Sequence, residues 1–203
     1  DEIGLTICAT HVKFDDLQNR MDDVVAKHKL WECRYVGLGS LPPEYRTGKE
    51  GYERFAELAS GMGRKLREAG LTFIYHNHDW EFARFGDATG MEILYERFDP
   101  ETVQFELDVH WIQAGGGDPI EWIRKVKGRM GVVHLKDMTL TPERERRFAA
   151  VGAGNMNMRG IVEACLETGV EWGAVEQDES YGRDPFEELE ISFHNLVKMG
   201  ADA

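Results

Sequence analysis

Short apolar runs alternate along the chain with longer, charged, amphipathic stretches. Seven runs have the length and composition of strands: 3–9, 35–39, 71–78, 103–110, 131–137, 148–151 and 172–177. The intervening and following stretches have a helical pattern: 15–29, 51–69, 88–98, 119–127, 156–168 and 185–199. The apolar runs lack clean alternation of polar and apolar positions, which is typical of parallel strands covered on both faces. The repetition predicts an α/β fold built on a parallel sheet.

Local signals mark the ends of several of these helices. Asp118 and Asp184 each precede a proline, so each pairs a capping carboxylate with a proline at the first helical position. Gly70 and Gly169 follow helical patterns, at the position where a left-handed residue commonly ends a helix. We therefore expect helices to begin after the two aspartates and to end before the two glycines.

Polar side chains cluster at the carboxyl ends of the apolar runs. They are His11, Ser40, His76 to His78, Asp108, His110, His134, Lys136, Asp137, Glu176 and Asp178. In a closed barrel such positions meet at the face that carries active sites, whereas in an open doubly wound sheet they spread along an edge. Three glycines at 115–117 lack the spacing of a dinucleotide site. We predict a TIM (β/α)8-type barrel that forms one domain, residues 1–203.

Composition narrows the classes of partner. The 203 residues carry a formal net charge of -13, which disfavours nucleic acid and anionic membranes as partners but not a small-molecule substrate. Cys8, Cys33 and Cys165 show neither CxxC pairing nor zinc spacing, so we interpret them as reduced, partly buried thiols. No apolar run is long enough to span a bilayer, and the first residues do not resemble a signal peptide. These features predict a cytoplasmic protein.

Four short motifs at the strand ends carry candidate chemistry. They are HNH at 76–78, Asp108 with His110, HLKD at 134–137 and VEQD at 175–178. Imidazole and carboxylate ligands together suit zinc, manganese, cobalt or iron better than calcium. Each motif alone has a structural interpretation: a single histidine is more often a hydrogen-bonded structural residue, and Glu176 could simply pair with a lysine. Their shared placement at strand ends favours one functional site.

Several segments resemble the sugar phosphate isomerase/epimerase family. They are LTFIYHNHDWEF, VQFELDVHW, GVVHLKDM, VGAGNMN and WGAVEQDESYGRDP, and the similarity extends from about residue 3 to the C-terminus. That family shares the xylose isomerase-like barrel and includes inosose dehydratase, inosose isomerase and 3-keto-sugar epimerases. The resemblance implies the same barrel and carbohydrate chemistry in this chain.

The resemblance also implies a metal site. The family typically holds one divalent ion with Glu, Asp, His and Glu from four strands. The matching positions are Asp108, His134 and Glu176, while His76 stands where the first glutamate would be, a departure that leaves the fourth ligand open. The inosose dehydratase branch also has a histidine-rich motif at that strand. We expect manganese, cobalt or zinc at this site.

Other residues of these motifs would face the substrate. We assign catalytic roles to His78, as the acid–base group, to Lys136, which would hold a substrate oxygen, and to Glu176. His11, His110 and Gln177 are assigned to substrate binding. His110 lies two residues after Asp108, where many relatives have a histidine three residues after, and we expect both to point inward from one face of a strand.

The resulting functional hypothesis is a metal-dependent isomerase, epimerase or related lyase or dehydratase. It would act on a small sugar, keto-sugar or inositol through an enediolate-type intermediate. Two alternatives stay open. One is an endonuclease IV-like nuclease that cuts DNA at abasic sites, against which the charge of -13 counts. The other is a barrel that binds sugar without catalysis.

One strand of the predicted barrel has no counterpart in the sequence. The chain starts at what resembles the second strand of the family, so the first strand and helix are expected to be missing. Their absence would expose the edges of the runs at 3–9 and 172–177. We expect upstream residues that close the barrel, a homo-oligomer formed through these edges, or a local rearrangement of the gap.

Overall fold

The computed structural model describes residues 4–202, which divide into two compact units, Asp1–Glu106 and Leu107–Ala203. The first unit contains, in chain order, β1 (Ala9–His11), α1 (Phe14–Asn19), α2 (Met21–Leu30), β2 (Tyr35–Leu38), α3 (Lys49–Glu68), β3 (Thr72–His76), β4 (Arg84–Phe85), β5 (Ala88–Thr89), α4 (Gly90–Arg97) and most of β6 (Val103–Asp108). The division between the units falls inside β6.

Four parallel strands form the centre of the first unit. Their order is β1, β2, β3, β6, with Thr10 beside Val36, Val36 beside Phe73 and Phe73 beside Val103. All four residues of β2 are buried. Helix α3 packs on β3 and α4 through an apolar face, whose buried members include Phe55. This burial provides the main driving force for folding of the unit.

The second unit contains two parallel strands, a hairpin and four helices. Its elements are α5 (Val109–Ala114), α6 (Pro119–Lys125), β7 (Val132–Leu135), β8 (Asp137–Leu140), β9 (Arg146–Ala149), α7 (Met158–Thr168), β10 (Trp172–Val175) and α8 (Pro185–Met199). Strands β7 and β10 pair in parallel, with His134 beside Ala174, and β8 pairs antiparallel with β9. Helix α7 contacts both α6 and α8. Between residues 4 and 202, no helix is both long and apolar enough to cross a membrane.

The helix signals predicted from the sequence are confirmed. The side chains of Asp118 and Asp184 accept hydrogen bonds from backbone N–H groups in the first turns of α6 and α8. Gly169 ends α7 in the left-handed conformation, and Gly70 follows α3 with φ of 78°. The predicted helix at 15–29 is two helices, α1 and α2, because the backbone leaves the helical region at Arg20.

Two predicted strands are wrong in part. The run at 148–151 is not a strand of the parallel sheet: Phe148 and Ala149 end the hairpin strand β9, and residues 150 and 151 are a buried loop. The residues at 150 and 151 are apolar because they are buried, not because they pair with a neighbouring strand. The run at 103–110 stops at Asp108, because the Asp108 carboxylate caps α5 by accepting from the Trp111 N–H. His110 is therefore helical, and the expectation that it shares a strand face with Asp108 is wrong.

The first predicted strand is also displaced along the chain. Residues 4–8 are irregular and the strand is Ala9–His11, while residue 3 lies outside the described part. Across residues 4–202, six parallel strands are present where the sequence predicted seven. The three cysteines are free thiols, with Cys33 and Cys165 buried and Cys8 half-buried, as expected.

The loop after β9 is organised by one buried carboxylate. Asp137 accepts four backbone hydrogen bonds, from the N–H groups of Met138, Gly152, Gly154 and Met156, at 2.7–3.2 Å. Burial raises the pKa of Asp137, and the four N–H donors oppose that rise. The Asp137 side chain thus provides hydrogen-bond acceptors for backbone N–H groups of the loop, which have no strand partner.

We predict that Gly154→Ala destabilises the protein by about 1–3 kcal/mol. A Cβ at residue 154 would overlap Asp137 Oδ1 and the carbonyl oxygen of Met138, and a backbone atom cannot easily move away. Urea unfolding measures the change. Gly61→Ala is the matched control: it lies within α3, where a Cβ would meet only the end of the flexible Arg64 side chain at 4.0 Å, and should stabilise by about 0.5–1 kcal/mol. Equal effects of the two variants would contradict the prediction.

Candidate functional site

A carboxylate, an imidazole and a second carboxylate converge at the carboxyl ends of three strands in the second unit. Asp108 ends β6, His134 lies in β7 and Glu176 directly follows β10. Each offers a ligand atom, and these atoms lie within 4.8 Å of one another. His134 Nδ1 is 2.7 Å from Glu176 Oε2, and Asp108 is fully buried. The structure thus brings together three of the residues that the sequence predicted as metal ligands.

The Lys136 ammonium lies among carboxylates at the same strand ends. The Lys136 side chain is 2% exposed, and its Nζ is 2.6 Å from Asp178 Oδ2, 3.6 Å from Glu176 Oε2 and 3.9 Å from Asp108 Oδ2. A buried ammonium is stable only when paired, and these carboxylates compensate its charge. Lys136 and Glu176, both predicted to be catalytic, are therefore neighbours.

Aromatic rings form an apolar wall beside Lys136. Its Nζ lies 5.2 Å from the Trp111 ring and 5.0 Å from the Phe148 ring. His110, from α5, packs against both rings, with centroid distances of 4.8 and 5.1 Å. The hairpin residue Phe148 thus contributes to the surroundings of Lys136, a role that the sequence analysis missed because it placed residue 148 in a barrel strand.

His110 is buried among these groups. Its Nδ1 has no hydrogen-bond partner within residues 4–202. Burial lowers the pKa of His110, and Asp108 opposes this in part. Substrate binding by His110 stays a prediction.

Gln177 lies at the edge of the same region. Its amide nitrogen donates to the Glu179 carbonyl oxygen and to Glu188 Oε2, both at 3.2 Å. Glu188 is buried in α8, and Arg183 Nε also lies 2.7 Å from it. These contacts tie the loop after β10 to α8. Substrate binding by Gln177 stays a prediction, since its donor group is already used within the fold.

The first unit places the remaining predicted residues at the carboxyl ends of its own strands. The His11 ring, at the end of β1, is 2.5 Å from Glu106 Oε2 through Nε2 and 5.2 Å from the His76 ring. His76 ends β3, is buried, and lies beside Glu106 in the ladder. His78 follows, with its ring 5.0 Å from that of His76. His11, His76 and His78 thus form one row with Glu106.

Glu106 is a buried carboxylate that the sequence analysis did not single out. It is 1% exposed, and it shares a strand face with Asp108 because side chains two residues apart in β6 point the same way. The signal was present, because this run is an exception to the lack of alternation noted for the apolar runs: polar Gln104, Glu106 and Asp108 alternate with apolar residues between them. Period-two alternation predicts that a strand has one polar face.

A second buried carboxylate supports the loop after His76. Glu81 accepts from the Tyr75 hydroxyl and, at 2.9 Å, from the His78 backbone N–H. Burial raises the pKa of both Glu81 and Tyr75. The HNH segment is therefore held by a carboxylate three residues further along the chain.

Comparison with known proteins identifies the fold family. A family model described as xylose isomerase-like TIM barrel matches residues 18–190. The chain belongs to this xylose isomerase-like TIM barrel family. The TIM-barrel fold predicted from the sequence, and the resemblance on which it partly rested, are confirmed.

Relatives within this TIM barrel family include sugar-acting enzymes. Inosose dehydratase from Lacticaseibacillus casei is 27% identical over 154 residues, which cover 67% of this chain and 50% of that protein. A sugar phosphate isomerase/epimerase structure from Parabacteroides distasonis is 25% identical with a TM-score of 0.80, covering 98% of this chain and 73% of that one. An L-ribulose 3-epimerase structure, at 16% identity and a TM-score of 0.70, shares the fold and covers 98% of this chain and 75% of that one. The chain spans about half the length of the curated relative from L. casei.

The lowered pKa of His110 predicts a pH dependence of stability. The folded protein binds a proton at His110 less readily than the unfolded chain, in which histidine titrates near pH 6.5. The stability that neutral His110 provides is therefore full above about pH 6.5 and is lost as the pH falls toward and through the folded pKa.

Urea unfolding between pH 7.5 and 5.5, in the presence of a chelator, tests this. His110→Gln should reduce the loss of stability on acidification. His194→Gln is the control, since His194 lies on the exposed side of α8 and should leave the slope unchanged. A slope for His110→Gln that matches the wild type would contradict the assignment.

Proposed function

We propose that this protein is a metal-dependent isomerase, epimerase or related dehydratase that acts on a small keto-sugar or keto-polyol. The reaction class is proton removal from the carbon next to a carbonyl, which gives an enediolate-type intermediate. The curated and structural relatives named above support this class of substrate, since they include an inosose dehydratase and sugar epimerases. Return of the proton to the opposite face of the same carbon gives epimerisation, and protonation of the other enediolate carbon gives isomerisation. Departure of a hydroxyl from the adjacent carbon, protonated as it leaves as water, gives dehydration.

The observation that carries the proposal is the charge balance around Lys136. Three carboxylates, Asp108, Glu176 and Asp178, lie within 4 Å of one ammonium, so negative charge is in excess by two. With His134 beside Glu176, this is a mixed oxygen and nitrogen donor set that a divalent cation would both neutralise and satisfy. The donor set fits manganese, cobalt or zinc.

We assign metal binding to Asp108, His134 and Glu176. When bound, the ion would act as a Lewis acid toward a substrate carbonyl and its neighbouring hydroxyl. His76 is proposed as the fourth ligand on sequence position alone, because it ends β3 where the family places a ligand. Its burial and its place at a strand end agree with that role.

The other polar residues are assigned by what their atoms can do. The Lys136 ammonium, fixed by Asp178, can donate hydrogen bonds to a substrate oxygen and stabilise developing negative charge. His78 is proposed as the group that takes and returns the proton, and its position after β3 supports the role. His11 and His110 are proposed to bind substrate hydroxyls, with His11 oriented by Glu106.

The first test concerns the metal. The wild-type chain, loaded with Mn²⁺, Co²⁺ or Zn²⁺ and desalted, should retain about one ion per chain by elemental analysis. Glu176→Ala should lose most of it, because one of the proposed ligands is gone. Glu179→Ala removes an exposed carboxylate three residues further along the chain and should keep the ion. Unchanged metal content in Glu176→Ala would reject the site.

The second test concerns the reaction. Incubation in D₂O with inosose, ribulose or tagatose and the loaded metal should incorporate deuterium next to the carbonyl, which NMR detects whichever product follows. His78→Asn and Lys136→Met should each slow exchange by on the order of 100-fold. His194→Asn is the matched control and should exchange as the wild type does.

The outcomes of this test separate the competing functions. Substrate binding without deuterium exchange would favour a barrel that binds sugar without catalysis. Nicking of abasic DNA, with no exchange on any sugar, would favour the nuclease alternative. Full exchange by His78→Asn would remove His78 from the proposed mechanism while leaving the metal site intact.

A further inference from the structure

Trp80 packs against two side chains of its own unit. The His78 ring stacks on one face with a centroid distance of 4.1 Å and an interplanar angle of 12°. The Arg46 guanidinium lies on Trp80 with its Cζ 3.9 Å from the ring centroid. These contacts occupy ring surface of Trp80 on which a sugar could otherwise stack. We therefore look for the role of Trp80 in the side chains that it contacts, His78 and Arg46.

Arg46 is itself fixed by the loop that precedes α3. Its Nε and Nη2 donate to the Leu41 carbonyl oxygen at 2.8 and 2.5 Å, and Nη2 also donates to Ser40 Oγ at 2.9 Å. Three hydrogen bonds leave the planar guanidinium little freedom, so it presents a fixed face to the indole. This loop follows β2.

The backbone of His78 is fixed independently of its ring. The His78 N–H donates to Glu81 Oε2, and the other Glu81 oxygen accepts from the Tyr75 hydroxyl. With the backbone held from one side, the remaining freedom of His78 is rotation of its side chain. Stacking on Trp80 restricts that rotation and fixes the plane of the imidazole.

We propose that Trp80 and Arg46 are positioning residues that fix the orientation of the His78 ring. Arg46 acts through Trp80: it holds the indole plane, and the indole plane holds the imidazole. The catalytic consequence rests on the proposed function, in which His78 moves a proton and must point at one carbon of the substrate. A misdirected imidazole would keep substrate affinity and lose rate.

The structural part is tested by NMR on the full chain without substrate. The His78 Hε1 proton, assigned by its absence in His78→Asn, should be shifted upfield by the Trp80 ring current. Arg46→Ala should move it toward the random-coil position and broaden it, while Arg46→Lys should restore part of the shift. Arg97→Ala is the control, since Arg97 pairs with Glu53 on the surface of the same unit. An unmoved His78 resonance in Arg46→Ala would overturn the proposal.

The catalytic part uses the deuterium-exchange assay with metal-loaded protein. Arg46→Ala and Trp80→Ala should lower kcat by about 10–100-fold with KM changed less than threefold, and Trp80→Phe should recover most of the rate because it retains a ring face. Circular dichroism of each variant identifies any that fail to fold, for which Trp80→Phe and Arg46→Lys remain informative. A rise in KM at constant kcat would show that Arg46 binds substrate instead, and would overturn the positioning role.

The two parts also distinguish failure of this inference from failure of the proposed function. If His78→Asn exchanges normally, His78 is not the acid–base group, and the NMR result alone decides whether Arg46 and Trp80 orient its ring. If His78→Asn is inactive, but Arg46→Ala has the wild-type kcat and a His78 resonance at its wild-type position, the proposed function stands and the positioning role is wrong.

Discussion

The burial of the Lys136 ammonium is the constraint on which the second unit depends. A buried ammonium is stable only beside negative charge, and the compensating carboxylates come from β6 and from the segment after β10. The same residues lie at the carboxyl ends of parallel strands, where active-site residues are found in barrels of this kind. The same side chains thus provide both the charge compensation and the candidate chemistry. Removing Lys136 would leave the buried Asp108 carboxylate without its neighbouring cation.

The sequence predicted this arrangement where charge and strand position agreed. HLKD and VEQD place charged residues at the ends of runs that are otherwise apolar. Charged residues at the end of a buried strand indicate either an ion pair or a functional site. Asp118 and Asp184 were predictable as caps for an equally local reason, because an aspartate before a proline satisfies the first turn of a helix. In each case the decisive interaction lies within a few residues of the signal.

Interactions over longer distances were not predictable in the same way. Phe148 and the two residues after it are apolar because they are half-buried or buried, and a short apolar run does not distinguish a hairpin end and loop from a strand. His110 was assigned to a strand because nothing in the sequence indicated that Asp108 would cap a helix. The contact between Trp80 and Arg46 joins residues 34 positions apart, so no local signal in the sequence indicates it. Glu106 was the exception: its alternation with apolar neighbours was a local signal.

The adjacency of Lys136 and Asp137 has a consequence for strand register. Consecutive residues leave β7 on opposite faces, so the ammonium faces carboxylates while the carboxylate faces four N–H donors. A slip of one residue would exchange them, bringing the ammonium to a cluster of positive dipole ends and adding a carboxylate to a group already rich in negative charge. Both exchanges are repulsive, so the wrong register is disfavoured by charge as well as by packing. The register of an apolar strand is specified by side-chain packing alone. Here two neighbouring charges of opposite sign also help to specify it.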